Sequence, residues 1–332
     1  MKPYLYLRGL KRLSDEIVGN EIIHIGIRPY GFHAGNAIAL IVYPYLLCKI
    51  LEDSGKGPKL QFVISINDWE QDALAGPDYR KYPFNIYPQN TSLQFTPDEN
   101  GCCQSTVDHW QPIIEKSLSK IKNRFPKISL RFVRNSELIS NQYCKDLLLA
   151  TIKSPKDQLK IFEEYSGKET LETPLSYAGA ICPKCRTAHG NTSVVKDDLI
   201  QWECARCGTM VKNHFEKFQY WWYHKPMLIA RIKIFKIDIT LSGGDHFSEG
   251  DFAIREALIK KYSPTTKRPK MLFTPTVIAL NGEKMSKSRK NTAFAKIGKL
   301  ILAAAKFDGN NLLITKDMIS NQIDDQDYSN IF

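Results

Sequence analysis

The sequence predicts an α/β protein, a doubly wound parallel sheet interrupted by a long middle insertion. Three observations lead there. Short β-branched runs alternate with helix-like segments as far as about Asn135. A polar, cysteine-bearing stretch then breaks the pattern, and the alternation resumes from Phe235 to Leu280.

Each element follows from its residues. Glu21 to Ile27 reads as a buried strand, because Ile22-Ile23-His24-Ile25-Gly26-Ile27 is short and mostly β-branched. Arg28-Pro29-Tyr30-Gly31 is a turn signal. Gly35 to Leu51 has helical spacing, with a kink expected at Pro44. Gln61–Ile66 is a second strand, Val107–Ile121 a helix and Ile128–Val133 a third strand. After the insertion, Phe235–Leu241 reads as a strand, Ser248–Lys260 as a helix and Met271–Leu280 as a final strand. This order suits a Rossmann-like sheet in two halves, residues 1–135 and 226–291, separated by an insertion over 136–225. Residues 292–332 read as a short helical appendage. No internal repeat or low-complexity tract is present.

Bulk composition narrows the function classes. At 332 residues, the chain is long for a single core. The longest apolar stretch, Ala37 to Leu47, is too short for a membrane span and contains Pro44. The charged N-terminal segment lacks the apolar core of a signal peptide, so a cytoplasmic protein with no membrane partner is expected. A net charge of +11 suits polyanionic partners, nucleic acid first and nucleotide phosphates next, and equally suits a surface charged for solubility. Of eight cysteines, four have metal spacing; Cys48, Cys102, Cys103 and Cys144 read as reduced packing residues.

Five constellations can carry chemistry. In Gly31-Phe32-His33-Ala34-Gly35-Asn36, a glycine turn opens a helix whose free N–H groups suit phosphate, with His33 and Asn36 three apart. A plain turn would read the same. In Lys284-Met285-Ser286-Lys287-Ser288, two lysines three apart on a loop can clamp a triphosphate and stabilise departing pyrophosphate. Ser242-Gly243-Gly244-Asp245-His246 ends a strand where ligands of open parallel sheets sit, and suits a capped turn equally. Cys182-x-x-Cys185 and Cys204-x-x-Cys207 match a zinc ribbon with four thiolate ligands. Four protein ligands leave no open position, so the zinc is expected to be structural, with His189 and His214 outside the ligand set. Tyr220-Trp221-Trp222-Tyr223 reads as a core cluster before a base-stacking surface.

Taken together, His33-x-Gly35-Asn36 and Lys284-Met285-Ser286-Lys287-Ser288 resemble the two signatures of class I aminoacyl-tRNA synthetases. Within that class, the sequence is most similar to class I lysyl-tRNA synthetases over residues 20 to 295. Thr96-Pro97-Asp98-Glu99-Asn100-Gly101-Cys102-Cys103-Gln104-Ser105, with Asp108-His109 after it, resembles that family's Pro-Asp-Pro-x-Gly-x-x-x-Ser stretch and the following Glu-His. Gly243-Gly244-Asp245-His246 resembles its Gly-Lys-Asp-His element, and Gly26-Ile27-Arg28-Pro29 its strand-to-turn entry.

The resemblance implies ATP-dependent formation of an aminoacyl-adenylate, then transfer of the aminoacyl group to an acceptor. His33 and Asn36 would hold phosphates, Gly243 and Asp245 the adenosine side, and Lys284 and Lys287 the pyrophosphate. Gly31, Gly35, His246, Met285, Ser286 and Ser288 would complete the ATP site, with Mg2+ accompanying the nucleotide. Two departures bear on the substrate. Ala39 stands where lysine-specific members have a glutamate. About forty residues follow the clamp loop, which leaves no room for a large anticodon-binding domain. The expected acceptor is therefore either a tRNA read at its acceptor stem or a metabolite, peptide or carrier. A silent tRNA- or nucleotide-binding module is the further alternative.

Overall fold

The computed structural model describes residues 2–29, 33–69, 91–98, 101–166, 178–188, 190–222, 224–248, 250–285, 291 and 293–320. The first half of the chain runs β1 (Tyr4–Leu5), α1 (Tyr6–Glu16), β2 (Ile22–Ile27), α2 (Ala34–Ala37), α3 (Tyr43–Asp53), β3 (Gln61–Ile66), α4 (Thr106–Arg124) and β4 (Ser129–Arg134). The middle runs α5 (Gln142–Lys153), α6 (Pro155–Ser166), β5 (Ala178–Ala180), β6 (Gly190–Lys196), β7 (Leu199–Cys204), β8 (Met210–His214) and β9 (Tyr220–Trp222). The second half runs α7 (His224–Phe235), β10 (Ile239–Ser242), α8 (Gly244–Ser248), α9 (Asp251–Tyr262), β11 (Lys270–Phe273) and β12 (Thr276–Ile278). The last elements are β13 (Phe294–Ala295), α10 (Ile297–Ala304), β14 (Asn311–Leu313) and β15 (Ile319–Ser320).

Six strands form one sheet in the order β1-β11-β10-β2-β3-β4, every neighbouring pair parallel. The doubly wound parallel sheet expected from the sequence is therefore present. Strand periodicity separates its faces: Ile23, Ile25 and Ile27 of β2, with Phe62, Ile64 and Ile66 of β3, pack into a core with α1, α3, α4 and α10. The opposite face packs Val63 and Val133 against α5, α7, α9 and residues of the cysteine module.

Several boundaries differ from the sequence reading. Phe235 ends α7, and the strand begins only at Ile239, after Lys236 takes a left-handed conformation at φ 54°. The run Met271–Leu280 divides at Thr274-Pro275. Its first part lies in the main sheet, and Thr276–Ile278 instead pairs in parallel with β14. Proline cannot donate a ladder hydrogen bond, which accounts for the break. Pro44 produces no simple kink. A π-helical stretch, Ile38–Val42, precedes α3, and the Tyr43 N–H reaches back to the Ile38 carbonyl, so Pro44 falls in the first turn of α3 where its missing N–H costs little.

The apolar run also extends beyond Ala37–Leu47. The helical segment Ala34–Asp53 is long and apolar enough to cross a membrane by length and composition, yet 72% of its apolar window is buried inside the protein, as in a core helix. The C-terminal segment packs its helix onto the main sheet's core. Ile297, Leu300, Ile301 and Ala304 of α10 are part of the main core, and among the described residues three short strands accompany the helix.

Candidate active site

Strand order reverses between β2 and β10. From β2 the chain proceeds to β3 and β4 on one side; from β10 it proceeds to β11 on the other. Connections leaving neighbouring strands in opposite directions open a crevice beyond their carboxyl ends, where open α/β sheets bind ligands. His33, Gly35 and Asn36 of the first signature and Lys284 of the second lie at this crevice.

On the β2 side, His33 is the N-cap of α2, and its Nδ1 accepts the Gly35 N–H at 3.1 Å. That bond places the proton of the neutral imidazole on Nε2, where it can donate to a phosphate oxygen. Gly35 has to be small, since a Cβ there would lie 2.9 Å from the His33 ring. His33, Gly35, Asn36 and Ala39 are the half-buried positions of this segment, whereas Ala34, Ala37, Ile38 and Leu40 are buried. The two candidate phosphate ligands and Ala39 therefore share the helix face left open.

On the β10 side, Gly243 and Gly244 lead into α8. A Cβ at Gly244 would lie 2.2 Å from the Thr274 carbonyl oxygen, so only glycine lets the turn approach β11 this closely. Asp245 is paired with Lys284 across 2.9 Å. Burial works against its ionised form, but the charges of His246 and Lys284 hold its carboxyl below the usual range. The clamp loop is anchored on both flanks. Met285 is buried in the core and donates its N–H to the Val277 carbonyl. Beyond the loop, Asn291 donates to the Lys284 carbonyl at 3.0 Å, and the Ala34 N–H bonds the Ala293 carbonyl at 3.0 Å. The structure thus brings His33, Gly35, Asn36, Gly243, Asp245, His246, Lys284 and Met285 to one region, although the Met285 side chain serves the core. Gly31, Ser286, Lys287 and Ser288 lie outside the described residues.

Among the described residues, two clusters have the donors to hold a metal. Cys182, Cys185, Cys204 and Cys207 bring their sulfurs within 4.8 Å of one another. The Cys182–Cys207 and Cys185–Cys204 sulfur separations are 3.7 and 3.5 Å. A tetrahedral zinc–thiolate site has sulfur–sulfur edges of about 3.8 Å, so the donor set fits zinc. His214 is exposed and sits 3.3 Å from Asp198, apart from this set; His189 lies outside the described residues. Tyr220, Trp221 and Trp222 are buried, as a core cluster requires.

The second cluster corrects the reading of Cys102 and Cys103 as packing residues. Cys102 is exposed, and it groups with Asp98, Cys103 and His109 within the same 4.8 Å limit. The Cys102 sulfur is 3.0 Å from His109 Nδ1 and 3.4 Å from the Cys103 sulfur, and the Asp98 carboxylate is 3.3 Å from the same His109 nitrogen. Carboxylate, thiolate and imidazole donors suit zinc. Its sequence signal was the spacing Asp-x3-Cys-Cys-x5-His, which no paired Cys-x-x-Cys motif announces.

Sequence reasoning also missed a buried polar network beside the crevice. Arg231 of α7, only 2% exposed, donates from Nε to Asn135 Oδ1 at 3.1 Å and from Nη2 to Asn67 Oδ1 at 2.5 Å. Asn135 donates to the same Asn67 oxygen at 2.9 Å. His24 Nε2 lies 3.0 Å from the Ser65 hydroxyl and 3.5 Å from Arg231 Nη1. Burial first, then the charges of Arg231 and Arg255, hold the His24 pKa well down, so this imidazole is neutral.

A histidine-capped helix and Lys284 thus flank a crevice at a topological switch point, the place where open α/β sheets bind ligands. The family model described as tRNA synthetases class I (K) matches residues 10–299, and the chain belongs to that family. A lysine–tRNA ligase of Thermococcus kodakarensis is 27% identical over 244 residues, covering 69% of this chain and 42% of that protein. The chain thus spans less than half the length of this curated relative. Among solved structures, tyrosyl-tRNA synthetase from Archaeoglobus fulgidus, complexed with L-tyrosine, is 16% identical at a TM-score of 0.43, covering 86% of this chain and 64% of that one. Tyrosyl-tRNA synthetase from Aeropyrum pernix is 14% identical at a TM-score of 0.42, covering 90% and 66%.

Proposed function

We propose that this chain activates an amino acid with ATP and transfers the aminoacyl group to the acceptor end of a tRNA. One observation carries the reading: segments some 250 residues apart in sequence meet at one crevice, with the Ala34 N–H bonded to Ala293 at 3.0 Å and Lys284 paired with Asp245 at 2.9 Å. In the first step, an amino-acid carboxylate oxygen attacks the α-phosphorus, the bond to the bridging oxygen breaks, and pyrophosphate leaves. His33 Nε2–H and Asn36 hold phosphate oxygens, while Lys284 and Lys287 neutralise the charge moving onto the leaving group. Engaging ATP takes Lys284 from Asp245, freeing that carboxylate for the adenosine side. In the second step, an acceptor hydroxyl attacks the acyl carbon and AMP leaves. Magnesium accompanies the triphosphate. Zinc at the four cysteines would fold the module, and a second zinc would tie Asp98, Cys102 and Cys103 to His109 at the start of α4.

The test is exchange of labelled pyrophosphate into ATP with each of the twenty amino acids, followed by addition of total tRNA. Exchange that requires an amino acid is the expected result, and that amino acid, supplied labelled in the second stage, should then precipitate with tRNA. Label confined to a small molecule, peptide or carrier would reassign the acceptor. No exchange with any amino acid would overturn the enzymatic reading and favour a binding module.

A further inference from the structure

The cysteine module carries its charge unevenly. β6 and β7 pair antiparallel from Gly190 opposite Cys204 to Lys196 opposite Leu199, so one end of the module holds the cysteines and the other a turn. The turn end mixes signs: Lys196, Asp197 and Asp198 meet there, and Asp198 is tied to Lys145 and His214 at 3.3 Å each. The cysteine end instead exposes Lys184, Arg186 and Arg206, with the acid Glu203 beside Cys204. β7 spans six residues, which sets the two ends about 17 Å apart by strand rise. That is about two Debye lengths at physiological salt, so a partner at the cysteine end is screened from the acids of the turn.

Two tight turns hold the three cations together. The Arg186 N–H returns to the Cys182 carbonyl and the Gly208 N–H to the Cys204 carbonyl, both at 3.0 Å. Sulfur separations of 3.7 and 3.5 Å bring these turns against each other, and Lys184, Arg186 and Arg206 each neighbour a cysteine of the one four-sulfur centre. Arg186 is also held in place. Its guanidinium lies 5.0 Å over the Phe95 ring, and Nη1 donates to Gln219 at 2.9 Å, so less freedom is lost when it meets an anion. The module is docked on the crevice side of the sheet. Thr187 bridges Thr91, and Gln94 donates from its backbone to the Asp68 carbonyl at 2.9 Å and from its side chain to the Tyr220 carbonyl at 3.2 Å. Asp68 lies two residues past β3, at the carboxyl end of the sheet.

We propose that Lys184, Arg186 and Arg206 form a docking surface for the phosphate backbone of an RNA, the acceptor arm whose end receives the aminoacyl group. The proposal rests on the aminoacyl-transfer reading above. Three cations on adjoining turns suit a backbone that carries one charge per nucleotide. Such contacts supply affinity and position without reading sequence, and leave the chemistry to the crevice. A surface charged only for solubility would mix signs, as the turn end does.

The test measures binding of total tRNA, and of an RNA minihelix copying an acceptor stem, across a salt series. Lys184→Gln, Arg186→Gln and Arg206→Gln together should weaken both at least 10-fold. The slope of log affinity against log salt should fall by about 2–3, as for three lost phosphate contacts. Lys196→Gln, at the turn end, should leave both affinities within 2-fold. Pyrophosphate exchange without tRNA should stay within 2-fold in every variant, with metal content equal to the parent's. Arg206→Gln alone should lower the slope by about 0.7–0.9 and covers the case in which the triple variant misfolds. Unchanged affinity and slope in the triple variant, or an equal loss in Lys196→Gln, would overturn the surface and leave aminoacyl transfer standing. Weakening of total tRNA but not of the minihelix would overturn the acceptor-arm assignment. A parent that exchanges pyrophosphate yet binds neither RNA would overturn the tRNA reading, and this surface with it.

Discussion

The two faces of the central sheet differ in kind, although the same strands make both. On one face, Ile23, Ile25, Ile27, Phe62, Ile64, Ile66, Leu241 and Leu272 are uniformly apolar and buried. This is what a parallel sheet covered by helices normally shows on both sides. On the other face, where Val63 and Val133 pack into a second core, β2, β3 and β10 also carry His24, Ser65 and Thr240, all buried, and the exposed Gly26. Asn67 and Asn135 extend this line just past the strands, where Arg231 binds both. One face is scaffold. The other carries polar groups whose desolvation has to be offset by hydrogen bonds, and it does so next to the crevice.

That contrast can be broken by mutation. The largest effect should come from the clamp, whose loss leaves both faces intact. Replacing Lys284 and Lys287 together by alanine should slow pyrophosphate exchange by at least about 100-fold, the scale of removing transition-state charge stabilisation. Urea unfolding should show unchanged stability; near-normal exchange would contradict the assigned role. Next comes the scaffold face, where Ile64→Ala empties a fully buried site. A loss of about 2–5 kcal/mol is expected from urea unfolding.

The crevice side should show the opposite sign at Asp68. Burial pushes its carboxyl up to about 6, even though Ser136 donates to it. The folded protein then holds a proton that the unfolded chain has released between about pH 4 and 6, so stability falls as pH rises through that window. The fall is on the order of 2–3 kcal/mol, and Asp68→Asn should abolish it. Stability curves of the variant and parent that stay parallel across this range would count against it. The smallest effect belongs to Ser65→Ala, one residue from Ile64 but on the polar face. Removing its contact with His24 should cost about 1 kcal/mol, and a loss matching that of Ile64→Ala would erase the distinction between the faces.

How much of this was legible follows from what each signal depends on. Gln61–Ile66 was readable to the residue, because a short apolar run between polar segments has no other home. The boundary between α7 and β10 was not. Met227, Leu228, Ile229, Ala230 and Ile232 are all buried, so α7 has too little polar face to show a helical period. The two signature segments and the paired Cys-x-x-Cys motifs were visible because their chemistry is local in sequence. The polar network was hidden for the opposite reason. His24, Ser65, Asn67, Asn135 and Arg231 come from four separate stretches, each unremarkable alone, and only strand register and the approach of α7 bring them together.

The central claim is that this crevice makes an adenylate, and product analysis tests it most directly. The protein would be incubated with ATP, magnesium and a mixture of amino acids, quenched in acid and examined by mass spectrometry. The account predicts one aminoacyl-adenylate mass, with pyrophosphate in equal amount, absent from the variant lacking both clamp lysines. ATP left intact, or cleaved to ADP and phosphate with no adenylate, would contradict it.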